Sequence, residues 1–152
     1  MTSKKLTRGL SGAAGEYYVA AELSRRGYIA TITLRNTENI DILASRPDGS
    51  KTVGIQVKTI QGGGKEWILD KKAENLSKEN MFYVFVSLNG LKERPAFHVV
   101  PSAVVARNCA DSYKKWLAGS KRDGSARKDT DMRDFNDVEN AYLEAWEKLG
   151  LG

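Results

Sequence analysis

Residues 10–27 carry apolar and polar positions at helical spacing. Ser11, Tyr18, Glu22 and Arg25 share one face, and Ala13, Ala20 and Leu23 look the other way. Gly27 sits where a C-terminal cap belongs. Residues 28–34 are rich in β-branched side chains and predict a strand, followed by a polar loop at 35–39. Two further strands, 40–45 and 52–60, flank Arg46-Pro-Asp-Gly-Ser50, a strong turn signal. Gln61-Gly-Gly-Gly-Lys65 interrupts the pattern before a short strand at 66–69. The charged stretch 70–80 reads as a short helix or a long polar loop. Strands follow at 81–88 and 96–100, separated by Asn89-Gly90 and Pro95. Ser102 is placed to cap a helix running to about residue 117, with Val104, Val105 and Trp116 on or near its buried side. Residues 119–134 form a polar segment, either a surface loop or one that orders on binding. Asn136 and Glu139 make a capping box for a last helix that Gly150 ends. No internal repeat is visible. Helices at the ends of a central run of strands predict a mixed sheet with helices against it, an α/β or α+β domain.

Composition narrows the class. A chain of 152 residues, 41% apolar and 28% charged, suits one folded domain. Its longest apolar run is six residues, 81–86, where a membrane span needs ~20. Lys and Arg number 24 against 19 Asp and Glu, a net charge of +5, which is compatible with a nucleic-acid partner. Cys109 is the only cysteine, so neither an internal disulfide nor a Cys-rich zinc site can form. The basic N-terminus lacks the apolar run of a signal peptide, and a reduced, cytoplasmic protein with no membrane contact is expected.

Chemistry concentrates on the hairpin 40–58. Turning it on Asp48-Gly49 pairs Asp41 with Gln56 and Leu43 with Gly54. Because successive side chains in a strand alternate faces, Ile40, Ile42 and Ala44 join Val53, Ile55 and Val57 on one apolar face. Asp41, Gln56 and Lys58 fall together on the other, with open space expected beside Gly54. Glu16 shares a helical stripe with Gly12, Val19, Ala20 and Leu23, and an acid on a mostly apolar stripe is a local conflict of the kind that marks a site. Two carboxylates and an amide oxygen are hard ligands suited to Mg²⁺, which keeps several waters and needs few protein ligands. Such an ion polarises a phosphoryl oxygen and lowers the pKa of a bound water. Lys58 beside it would orient that water or offset charge on the phosphate. A buried ion pair between Glu16 and Lys58 is the purely structural alternative.

Asp41, then Gln56-Val-Lys58 after a hairpin, with Glu16 in a preceding helix of the form Gly15-Glu16…Ala21-Glu22-Leu23…Gly27-Tyr28, resembles the PD-(D/E)XK nuclease superfamily. Within it the likeness is to the Holliday-junction-resolvase-like and homing-endonuclease-like branches. The resemblance covers roughly residues 12–100. It implies a restriction-endonuclease-like αβββαβ core over about 10–101, with a mixed central sheet flanked by helices and a C-terminal helical extension over about 102–152. It also implies an Mg²⁺- or Mn²⁺-dependent endonuclease acting on phosphodiester bonds in DNA. Carried over, the motif makes Asp41 the central metal ligand, Gln56 the second-acid position, Lys58 the catalytic lysine and Glu16 the helical acid. The metal ligands implied are Asp41, Glu16 and Gln56. Gln56 departs from the usual acid and removes one negative charge from the ion's shell, although some active members carry Gln there. Pro47-Asp48 spells the motif's first two letters, but Asp48 lies at the hairpin tip, ~26 Å from Gln56 at strand rise. Asp41, opposite Gln56, is the better ligand.

The remaining features are plainer. The glycine loop 61–65 lacks the ending of a P-loop and reads as a turn. His98, Cys109, Trp67, Trp116 and Trp146 read as structural, with Cys109 a small buried residue. Lys114, Lys115, Lys121, Arg122, Arg127 and Lys128 are the candidates for backbone phosphate contact, and Arg35 and Arg46 flank the site along the chain. A homo-oligomer, most simply a dimer, is expected for cutting both strands of a duplex. Its interface would come from 119–134 and the last helix. An inactive nuclease fold that binds nucleic acid or a partner protein remains the alternative.

Overall fold

The computed structural model of the chain describes residues 4–34 and 38–152. Helix α1 (Arg8–Arg25) starts where Thr7 Oγ1 accepts the Leu10 N–H at 3.2 Å. It stops at Gly27, whose φ of 90° lets the Gly27 and Tyr28 N–H groups close back on the Ser24 and Leu23 carbonyls. That left-handed turn is available to glycine at little cost, which is why the chain leaves the helix there.

Strands β1 (Ile29–Ile32), β2 (Ile42–Ser45) and β3 (Thr52–Ile60) form an antiparallel meander. The short strand β4 (Glu66–Asp70) leaves the sheet, and the chain returns as β5 (Met81–Ser87), parallel to β3, and β6 (Ala96–Pro101), antiparallel to β5. The five-stranded order is β1-β2-β3-β5-β6, a mixed sheet. Helix α2 (Ser102–Ala118) follows.

Each face of the sheet has its own core. On one, Val19 and Leu23 of α1 pack with Ile42, Ala44, Val53 and Ile55 and with Trp146 and Leu149 near the C-terminus. On the other, α2 brings Val105 and Cys109 against Tyr83, Phe85 and Trp67. The contact of α1 with β3 is close: a methyl group at Gly15 would stand 1.8 Å from Thr59 Oγ1, so only glycine fits.

The expected helix over 136–150 is not formed. Asn136 ends strand β7 (Met132–Asn136), which pairs with β4 to make a separate two-stranded ribbon with Phe135 opposite Trp67. Arg133 and Phe135 are buried and their neighbours are less so, a period of two. Asn140 and Glu144 then adopt φ of 56° and 53°, which no continuous helix tolerates. Only a 3₁₀ turn, Trp146–Leu149, remains. Asp137 organises this segment: its carboxylate accepts the Ala141 and Tyr142 N–H groups, both at 2.9 Å, and that of His98 Nδ1 at 2.6 Å. The C-terminal extension is therefore one helix, one strand and a turn.

Smaller corrections follow the same logic. Residues 71–75 form a 3₁₀ turn capped by Asp70. Ser102 does not cap α2, because its hydroxyl exchanges hydrogen bonds with the Lys78 backbone. Trp116 is 41% exposed rather than buried.

Cys109 and Tyr83 give the fold an alkaline limit. Burial first, and then the Asp134 carboxylate, push the Cys109 thiol up to about 11. Burial pushes the Tyr83 phenol up to about 12. Above pH ~9 the unfolded chain releases protons that the folded chain retains, so stability is complete below that pH and falls as pH rises. Melting temperature measured from pH 7 to 11 should hold to about 9 and then decline. The decline should be shallower in Cys109→Ala; an identical curve would show that Cys109 does not titrate in this way.

Candidate active site

The β2–β3 hairpin has the register expected from its turn, Ile42 with Ile55 and Leu43 with Gly54. Asp48 lies exposed in the turn, accepting the Ser50 N–H at 2.9 Å. Two details of the surrounding face differ. The chain bends at Asp41, which breaks strict alternation, so Ile40 comes to Gly54's side of the sheet instead of joining Ile42. The space beside Gly54 is not open: Met81 Sδ and Ile40 fill it, 2.6 and 3.4 Å from where a Cβ would be.

Strand β2 ends its pairing opposite Ile55, so β3 beyond that point has no β2 partner along that edge. What meets this edge is Asp41. Its N–H donates to the Ile55 carbonyl at 2.8 Å, and its Oδ2 accepts the Val57 N–H at 2.7 Å. One carboxylate oxygen is thus pinned to the backbone between Gln56 and Lys58. The Ile40 and Asp41 carbonyls, on either side of the Asp41 Cα, both accept from Thr33, which fixes the carboxylate's base.

Gln56 and Lys58 lie on the same face of β3, beside Tyr83 and Phe85 on β5. They line a cleft of about 270 Å³ together with Asn39, Asp70, Lys72, Leu76 and Tyr83. Neither the Gln56 amide nor the Lys58 ammonium takes part in the side-chain hydrogen bonds and ion pairs found among the described residues. Lys58 also borders a second, larger groove of about 610 Å³ that contains Lys5, Arg8, Ser11 and Gly12. It stands where the two grooves meet.

Glu16 comes from the other side. Its neighbour Gly15 packs on Thr59, so α1 covers the face of β3 opposite to Gln56 and Lys58. The structure therefore brings Asp41, Gln56 and Lys58 together on the hairpin, while Glu16 is carried by α1, whose Ser11 and Gly12 share the larger groove with Lys58. Among the described residues, no three His, Cys, Asp or Glu side chains converge. The oxygen donors that the hairpin offers are the second oxygen of Asp41 and the Gln56 amide oxygen. They are few and hard, a set that fits Mg²⁺ or Mn²⁺ carrying most of its own water.

The basic candidates among the described residues lie elsewhere, and none of these lines the cleft. Lys121, Arg122 and Lys128 are exposed on the segment after α2. Arg127 sits over the Trp116 ring at 5.0 Å and donates to the Trp116 carbonyl at 2.6 Å. Arg46 is at the turn end of the hairpin, away from Gln56, with Nε bonded to the Leu151 carbonyl at 2.9 Å. Arg35 lies outside the described residues. His98 is buried on Asp137, a structural placement as expected, and Gln61 ties down the Lys4–Leu6 backbone. Sequence reasoning missed Asn39, Asp70, Lys72 and Tyr83. Asp70 and Lys72 lay in a stretch read only as charged, and Tyr83 lay in a run too uniformly apolar to show which side chains face a cleft.

No protein-family model matches the chain, and neither does any curated protein sequence. Solved structures do match, two of them nucleases. A bacterial homing endonuclease superposes with a TM-score of 0.56 at 18% identity, over 97% of this chain and 93% of that one. A Holliday junction resolvase from the archaeal hyperthermophile Archaeoglobus fulgidus gives a TM-score of 0.47 at 14% identity, over 83% and 84%. The first likeness, spanning nearly both chains, shows the fold. The chain has the restriction-endonuclease-like architecture, a mixed α/β sheet with a helix on each face.

Proposed function

We propose that the protein is a metal-dependent nuclease that hydrolyses phosphodiester bonds in DNA, using Mg²⁺ or Mn²⁺. The observation that supports this best is the Gln56–Lys58 pair. It opens onto a cleft without partners among the described residues, beside an Asp41 carboxylate pinned to the Val57 N–H, in a fold shared with a homing endonuclease. Asp41 and Gln56 would hold the ion, with Glu16 contributing from the α1 side. The ion, when bound, supplies Lewis acidity toward a phosphoryl oxygen and a bound water of lowered pKa. Lys58 offsets charge on the phosphate and orients the attacking water. The backbone bond to Val57 keeps Asp41 from turning away, so little reorganisation accompanies substrate binding.

The reading that competes is a nucleic-acid-binding module without catalysis. It draws on Gln56 standing where an acid is usual and on the lack of a three-acid cluster among the described residues. Calorimetric titration with Mg²⁺ separates the two. The wild type should bind the ion, and Gln56→Glu should bind it more tightly because a full negative charge enters its shell. Cleavage by that variant need not rise, since tighter ground-state binding does not by itself favour the transition state. No heat from either protein would favour the binding module.

We also assign backbone contact to the exposed basic segment. Neutralising Lys121, Arg122, Arg127 and Lys128 together should flatten the dependence of log K on log salt by up to about 0.9 per lost contact. Lys58→Ala should barely change it. An unaltered slope in the quadruple variant would place the DNA elsewhere. A dimer remains the simplest way to cut both strands, but a C-terminal helix is not available to form its interface. Among the described residues, no helix is long and apolar enough to cross a membrane.

A further inference from the structure

Tyr83 is 2% exposed, at the middle of the sheet, with its ring stacked on Phe85 at 5.3 Å. A tyrosine buried this deeply ordinarily gives its hydroxyl a protein partner. Tyr83 has none among the described residues. Nor is the hydroxyl sealed in: the fully enclosed, unpartnered polar side-chain atom among those residues is Thr59 Oγ1, and Tyr83 borders the cleft. The sliver of Tyr83 that remains accessible therefore includes its polar end. Register places the residue directly beside Gln56 on the neighbouring strand. Burial, reinforced by the adjacent Cys109, keeps the phenol protonated up to about 12, so at neutral pH it is a donor.

The wall of the cleft beyond Tyr83 is the 3₁₀ turn after β4. Here Lys71 is held by Asp131 at 3.0 Å, whereas Lys72 has no ion pair with a described residue and lines the cleft. Asp70, also on this wall, turns one oxygen to the Lys72 N–H at 3.0 Å. A neutral hydroxyl donor and an unpaired ammonium, with a second ammonium on Lys58, make a pocket suited to a phosphate oxygen. Hydrogen bonds to a charged acceptor are the strong ones.

We propose that the Tyr83 hydroxyl and the Lys72 ammonium grip a backbone phosphate of the bound strand within the cleft that holds Gln56 and Lys58. The inference rests on the nuclease reading for the identity of the ligand, and it assigns two substrate-contacting residues that the motif does not contain.

Binding of a short fluorescein-labelled DNA duplex, followed by anisotropy in EDTA at several salt concentrations, tests it without requiring catalysis. Tyr83→Phe keeps the ring and its stacking and removes only an oxygen that no described residue uses. It should therefore melt at or above the wild-type temperature, yet bind the duplex about ten- to a hundredfold more weakly, with an unchanged salt slope. Lys72→Ala should lose affinity and about 0.9 of slope, and Lys72→Arg should restore both. Wild-type affinity in Tyr83→Phe would overturn the proposal. So would an affinity loss that merely tracks a lower melting temperature, or failure of the wild type to bind duplex at all. If the binding pattern appears but Mg²⁺ and Mn²⁺ elicit no cleavage, the catalytic reading falls and this contact stands.

Discussion

Asp41→Asn should leave the protein folded and reduce divalent-dependent DNA cleavage by about 10³-fold or more. Asparagine keeps an oxygen for the Val57 N–H, now 2.7 Å from Asp41 Oδ2, and nearly the same volume. The hairpin register and its apolar back are untouched. What disappears is the one negative charge fixed between Gln56 and Lys58. A metal ligand's charge contributes several kcal/mol to stabilising the developing phosphoryl charge, and about 1.4 kcal/mol is worth a factor of ten. Asp41→Ala should be equally inactive, and less stable by ~1 kcal/mol because the Val57 N–H loses its partner. Parental cleavage by the asparagine variant would mean that the catalytic centre is somewhere else.

The largest effect on stability is expected at Asp137, far from that chemistry. Its carboxylate is 5% exposed and serves three donors: the backbone of Ala141 and Tyr142, and the His98 ring, itself 1% exposed. Through them it fastens the C-terminal segment, including Trp146 and Leu149, across the sheet. In Asp137→Ala all three donors lose their acceptor, and a buried pair broken on one side costs about 3–5 kcal/mol. For a domain of this size that is a fall of about 10 °C in melting temperature. Urea unfolding should show an earlier midpoint with a similar slope. A loss under 1 kcal/mol would show that the segment is held by its apolar contacts alone.

The hairpin was legible because three signals agreed: an alternating pattern on both strands, a Pro-Asp-Gly turn, and buried side chains that tolerate only one register. That agreement gave the register of Ile42 with Ile55 and Leu43 with Gly54, beyond which Asp41 leaves the ladder and takes the Val57 N–H on its carboxylate. Alternation failed at Ile40, where the bend at Asp41 returns the next side chain to the same face, and a pattern of period two cannot register a bend. The last helix failed for a different reason. Asn136 to Glu139 is a valid capping box, but capping is worth about 1 kcal/mol. Pairing of β7 with β4 sets Phe135 opposite Trp67, 68 positions earlier in the chain, which no local pattern records. Tyr83 was hidden by success of another kind. Every residue of β5 is buried, so the strand has no polar alternation to betray which face opens onto a cleft. Glu16 was rightly singled out as an acid near an apolar stripe. That it rides on a helix packed against the Thr59 side of β3 depends on which face of the sheet α1 covers, and handedness of that kind is invisible in spacing.

Nicking of supercoiled plasmid by purified protein, with Mn²⁺ or with EDTA and with Lys58→Ala alongside, tests the central claim most directly. Open-circular product is expected from the wild type with the ion, none in EDTA, and little from Lys58→Ala although that variant still binds DNA. Cleavage that persists in EDTA, or at the wild-type rate without Lys58, would contradict it.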